Sequence, residues 1–165
     1  MLRWVWLSAA VVILDQAAKL AADAALAPYE PVAVLPLLNL TLSYNTGAAF
    51  SLLAGAGGWQ RWLFTLVAVV VAAAIVVWLR RLPAHERWTA GGLALVLGGA
   101  LGNVIDRLWH GYVIDFIDVY YGEWHWPAFN IADSAITVGV GVLIVSMLLE
   151  SRASPAGEDR RGGRG

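Results

Sequence analysis

Four apolar runs dominate the chain: Trp4 to Ala22, Trp62 to Leu79, Trp88 to Ile105 and Ile131 to Leu149, each 18 or 19 residues long. A helix needs about 20 apolar residues to cross the hydrocarbon of a bilayer, so each run predicts a membrane-spanning helix. Between the first two runs the pattern changes. Leu38, Leu40 and Leu42 alternate with Asn39, Thr41 and Ser43, the period of a half-buried strand. Pro28, Pro31 and Pro36 punctuate its approach and Gly55, Gly57 and Gly58 close it, which predicts a small sheet over 29–57. The connection 107–129 gathers Phe116, Ile117, Tyr120, Tyr121, Trp124 and Trp126, a composition suited to the membrane interface, and is expected to hold a short amphipathic helix. Gly98, Gly99 and Gly102 would let the third span approach its neighbours closely.

Composition agrees with the pattern. Hydrophobic residues make up 59% of the chain and charged residues 14%, against about a quarter charged in a soluble domain. The placement of the charges says more than their sum. Arg3 precedes the first span, Arg80, Arg81 and Arg87 surround the short loop between the second and third, and Arg152, Arg160, Arg161 and Arg164 follow the fourth. Basic residues favour the cytoplasmic side, so both termini and the 80–87 loop are expected there, with Arg61 a minor exception. The expected fold class is therefore an all-α membrane protein: four transmembrane helices, a small extracytoplasmic β-sheet forming a cradle, and an interfacial extracytoplasmic helix. One integral domain would cover 1–150. Residues 151–165, rich in Gly, Arg and Ser, are expected to be a disordered cytoplasmic tail. Asp15, Gln16 and Lys19 interrupt the first apolar run, so it reads as a retained span rather than a cleaved leader. Cysteine is absent, which removes disulfides, thiol nucleophiles and thiolate metal sites.

Against this apolar background the ionisable groups stand out, because charge at membrane depth is costly and usually functional. Asp15 and Lys19 are four apart, share a helix face and are expected to pair. Asn45-Thr46-Gly47 is at least a turn, and Asn45 could offer an amide to a substrate carbonyl. Asn103, Asp106 and Arg107 share one side at the end of the third span. Asn130 and Asp133 have the spacing of a capping box at the start of the fourth, which would explain that carboxylate without any chemistry. Two carboxylates brought together share a proton, and such a pair can activate water while polarising a carbonyl. Spacing alone leaves Asp106, Asp115, Asp118 and Asp133 all as candidates for that pair. His110 and His125 lack helical ligand spacing, and Ser134 has no evident base, so metal and serine chemistry are disfavoured. A small proton- or ion-coupled transporter is the alternative reading, although a relay would want titratable groups along the whole membrane path.

Taken in order, Asp15-Gln16-x-x-Lys19, Asn45-Thr46-Gly47-Ala48-Ala49-Phe50, Gly102-Asn103-x-x-Asp106-Arg107, Val113-Ile114-Asp115-Phe116 and Phe129-Asn130-x-Ala132-Asp133-Ser134 resemble the lipoprotein signal peptidases, the type II signal peptidases of bacteria. The resemblance spans 1–149. It implies an intramembrane aspartic endopeptidase that uses no metal or cofactor and removes the signal peptide from diacylglyceryl-modified prolipoproteins, cutting just before the lipidated Cys. It assigns the catalytic dyad to Asp115 and Asp133. It places Asn45, Gly47, Asn103, Arg107, Asn130 and Ala132 at positions tied to substrate binding or active-site shape. Asp15, Lys19 and Asp106 become structural polar residues. The implied setting is the bacterial inner membrane, with the active site near the outer face. The implied partners are prolipoproteins and membrane lipids, with no nucleic acid, and a monomer is expected.

Overall fold

The computed structural model describes residues 1–47 and 57–153, with side chains through Leu149. After a 3-10 turn at Leu2–Trp4 come helix α1 (Val5–Ala25), strands β1 (Val32–Leu35) and β2 (Leu38–Asn45), and helices α2 (Trp59–Arg81) and α3 (Arg87–Trp109). Strands β3 (Val113–Tyr121) and β4 (Trp124–His125) and helix α4 (Ile131–Ala153) complete the order. All four helices are long and apolar enough to span a membrane. They run past the expected boundaries because polar and aromatic residues such as Gln60, Arg61, Arg107 and Trp109 extend the helical turns beyond the apolar runs. Ala48 to Phe50 of the second motif segment, and most of the expected tail, lie outside the described residues; α4 itself continues to Ala153.

Helix α3 is central and packs against α1, α2 and α4. Ala72, Ile75 and Leu79 of α2 meet Ala90, Leu93 and Leu97 of α3 at the end marked by the arginine loop. The contact with α4 is closer. A Cβ on Gly92 would stand 2.9 Å from Gly139 O, and a Cβ on Gly99 would collide with Ala132 O. On both helices the two contact points are seven residues apart, two helical turns, so small residues line one seam. Gly98 brings α1 near in the same way, since a Cβ there would stand 2.7 Å from Val11 Cβ and 2.8 Å from Ser8 O, and Ser8 Oγ donates to Ala94 O at 2.7 Å.

The sheet sits at the opposite end from the arginine loop, in the order β1-β2-β3-β4, antiparallel throughout. Here one expectation fails. The connection 107–129 holds no amphipathic helix; after α3 it forms β3 and β4. The run Val113-Ile114-Asp115-Phe116-Ile117-Asp118-Val119-Tyr120-Tyr121 is rich in β-branched and aromatic residues, which suit a pleated surface, and β2 offers it a partner. Pairing slips by one residue between Leu40 and Ser43, where β2 carries a bulge. The extra residue re-aims the chain, so Asn39 is buried before the bulge and Leu42 after it, in place of the even leucine face that the alternation predicts.

The seam carries its own test. Gly99→Ala should destabilise the folded protein by about 1–3 kcal/mol, the range for overpacking a tight core. Gly141→Ala, where an added Cβ meets nothing within 4 Å, should leave stability unchanged or slightly raised. Unfolding monitored by tryptophan fluorescence in mixed micelles would check both.

Candidate active site

Helix α4 starts at a capping box. Asn130 Oδ1 accepts from the Asp133 N–H at 2.9 Å, and Asp133 Oδ2 accepts in return from the Asn130 N–H at 3.4 Å. The carboxylate that caps the helix is thus held at its very first turn. Asn130 has no exposed surface, and its Nδ2 also donates to Asp115 Oδ1 at 2.7 Å and to Asn103 Oδ1 and Ile114 O at 3.2 Å. One buried amide therefore ties α4 to β3 and α3.

Asp115 and Asp133 line the same cavity, of about 610 Å³, with Asn45, Asn103 and Arg107. Each carboxylate receives a further amide. Asn45 Nδ2 donates to Asp115 Oδ2 at 3.1 Å, and Asn103 Nδ2 donates to Asp133 Oδ1 at 2.8 Å. Asn45 is aimed by a turn in which its Oδ1 accepts from the Gly47 N–H at 2.9 Å. Arg107 reaches Gly47 O and Asn103 O, both at 3.4 Å, and its guanidinium lies 5.5 Å from the Phe64 ring centre. The cavity's other wall is apolar: Pro127 to Phe129 on one side, and Ile136 to Val138 of α4 on the other.

Beneath the pair lies the buried ion cluster. Lys19 Nζ is 2.8 Å from Asp15 Oδ2, 2.8 Å from Asp106 Oδ2 and 3.0 Å from Asn103 Oδ1. Asp15 Oδ1 accepts from the Ala132 N–H at 2.8 Å, and Asp106 Oδ2 accepts from the Ile114 N–H at 3.1 Å. Ala132 is fully buried against Gly99 and Gly102 of α3 and does not line the cavity. Gln16, which the spacing argument passed over, donates to Asp106 Oδ1 at 2.8 Å. Its place in the first motif was the only signal of that role.

Of the four acids that spacing leaves open, only Asp115 and Asp133 reach the cavity. Asp106 is occupied by Lys19, Gln16 and Ile114. Asp118 stands three residues from Asp115 on one strand and so points to the other face. There it accepts from Asn39 Nδ2 and Thr41 Oγ1, both at 3.2 Å, and meets His125 Nδ1 at 2.8 Å. Burial pushes Asp118 up, but His125, Asn39 and Thr41 together hold it below the ordinary carboxylate value. Asp115 moves the other way. Burial, then the charge of Asp133, raise it to about 7, against the pull of Asn45, Asn130 and Lys19.

Two acids lining one cavity, between two membrane-length helices and a sheet, form an arrangement suited to acid–base chemistry. A family profile described as signal peptidase (SPase) II matches residues 7–149. The lipoprotein signal peptidase of Pseudomonas fluorescens Pf-5 is 52% identical over 160 residues, covering 96% of this chain and 94% of that one. The lipoprotein signal peptidase of Alteromonas mediterranea is 53% identical over 146 residues, covering 88% and 80%. Among solved structures, a bacterial membrane enzyme determined by the in meso method at 2.3 Å superposes with a TM-score of 0.84 at 30% identity, covering 96% of this chain and 94% of that one. A second, at 1.9 Å, gives 0.78 at 32% identity, covering 90% and 94%. The chain belongs to the signal peptidase II family.

The raised Asp115 carboxyl makes stability depend on pH. The native state holds this proton more tightly than the unfolded chain between the ordinary value of 3.8 and about 7. Its contribution is complete below that window and is lost as pH rises through it, at up to about 1.4 kcal/mol per pH unit. Thermal unfolding in detergent should therefore fall from about pH 5 to pH 7.5, and Asp115→Asn should flatten that slope.

Proposed function

We propose that Asp115 and Asp133 are the catalytic dyad of an intramembrane endopeptidase acting on diacylglyceryl-modified prolipoproteins. As a member of the signal peptidase II family, the protein is an aspartic peptidase of the bacterial inner membrane that removes signal peptides from prolipoproteins. The observation that carries the finer reading is the convergence of these two carboxylates, each steadied by an asparagine amide, on one cavity at the sheet end of the bundle.

The pair shares one proton. Its ionised member takes a proton from water as that water attacks the carbonyl preceding the lipidated Cys, and the protonated member donates to the carbonyl oxygen. A tetrahedral diol forms and collapses as a proton passes to the leaving amine. No acyl-enzyme arises. Asn45, Asn103 and Asn130 hold the two acids in register, Gly47 aims Asn45, Arg107 rims the cavity as a cation for substrate carbonyls, and Ala132 lets α3 and α4 meet closely beside the site. The arginine loop lies in the cytoplasm and the sheet on the outer side, following the basic-residue rule. A substrate anchored by acyl chains then enters sideways along Ile136 to Val138, keeping its tails in hydrocarbon and its scissile bond at the interface. An ion relay would need acids along the whole membrane path, but the other deeply buried acids of the spans, Asp15 and Asp106, are both paired with Lys19.

The test is a gel-shift assay in detergent with purified diacylglyceryl-modified prolipoprotein. Wild type should convert it to the mature size, while Asp115→Asn and Asp133→Asn should each lose at least about 1000-fold in rate and remain folded. Near-normal turnover by either variant would remove that residue from the dyad.

A further inference from the structure

Lys19 is the chain's one lysine. It is 1% exposed, and its three ammonium protons meet three acceptors: Asp15, Asp106 and the neutral amide of Asn103. A structural ion pair accounts for the first two. The third contact goes to an amide whose other end touches Asp133.

That amide can lie only one way. Its Oδ1 accepts from Lys19 at 3.0 Å and from Asn130 Nδ2 at 3.2 Å, and its Nδ2 donates to Asp133 Oδ1 at 2.8 Å. Turned over, the NH2 would face an ammonium and a second NH2, and the oxygen would face a carboxylate. An ammonium has no acceptor, so Lys19 forbids that arrangement. A hydrogen bond fed from a cation at its carbonyl end is also the stronger donor at its amino end.

We propose that Lys19 is a positioning residue for the reaction, acting through Asn103 to keep the amide N–H on Asp133 and to set one positive charge behind the carboxylate pair. The proposal rests on Asp115 and Asp133 being the reacting pair. The charged groups around that pair are Asp15 and Lys19 from α1 and Asp106 and Arg107 from α3, two of each sign. Without Lys19 the surroundings become net negative, and the pair holds its proton more tightly. Lys19 is one of the influences drawing Asp115 downward.

The experiment measures kcat and KM of wild type and Lys19→Met across about pH 5 to 9 with diacylglyceryl-modified prolipoprotein. At neutral pH kcat should fall by about 10- to 100-fold with KM little changed. Both limbs of the kcat profile should move to higher pH by about one unit, so the variant recovers in part toward alkaline pH. A loss equal at every pH, with the profile in place, is what a purely structural lysine gives and would overturn the proposal. The dyad variants separate the two readings: if they fail to abolish turnover, the dyad assignment falls. If they succeed while the Lys19→Met profile stays put, only this inference falls. Should Lys19→Met not fold, 15N-lysine labelling of the intact enzyme gives a single Nζ resonance. It should shift in Asp133→Asn, through the Asn103 amide; a resonance unchanged in that variant would overturn the proposal.

Discussion

Backbone contact between α3 and α4 is the constraint on which the site depends. Within a bilayer apolar surface gains nothing by leaving lipid, so helices associate through close packing and hydrogen bonds. Gly99 supplies the close packing: with no side chain there, α3 rides directly on the carbonyl of Ala132. Asn103 is one turn further along α3, and Asp133 is the next residue of α4, so the glycine seam delivers the amide to the carboxylate at 2.8 Å. A bulkier residue in the seam would part them before any polar group were changed.

The second constraint is that polar groups removed from water must be satisfied within the protein. The first-turn N–H groups of α4 meet it with residues of the site itself. Ala132 donates to Asp15, Asp133 to Asn130 Oδ1, and Ser134 to Asn130 O. Helix initiation and active-site assembly thus use the same atoms. The arrangement leaves few of these side chains free to reorient independently, which suits a reaction that needs two acids at fixed separation.

Much of this was legible in the sequence, and the physical reason differs by element. The spans announce themselves by length, the Asp15–Lys19 pair by helical spacing, and the start of α4 by its cap. Strand β3 did not. Its residues are buried on both faces through Phe116, so it lacks the alternation that betrays a half-exposed strand. Its aromatics read instead as an interface helix. The partner of β3 was equally hidden, because Asn45 and Asp115 lie 70 residues apart. Spacing could not choose among four acids; once the sheet is known, strand parity and the occupancy of Asp106 leave Asp115 and Asp133 as the two that line the cavity. The family resemblance had already pointed to the same two, through the words around them.

A practical consequence follows from the burial of Lys19. The 165 residues contain no other ε-amino group, and every other side-chain cation, histidine aside, is an arginine. Amine-directed acylating reagents, cross-linkers and surface-immobilisation chemistries would find no lysine to attack on the folded protein. Such labelling becomes instead a sensor of opening: uptake of a reagent at that single position would report that the bundle had come apart at its centre.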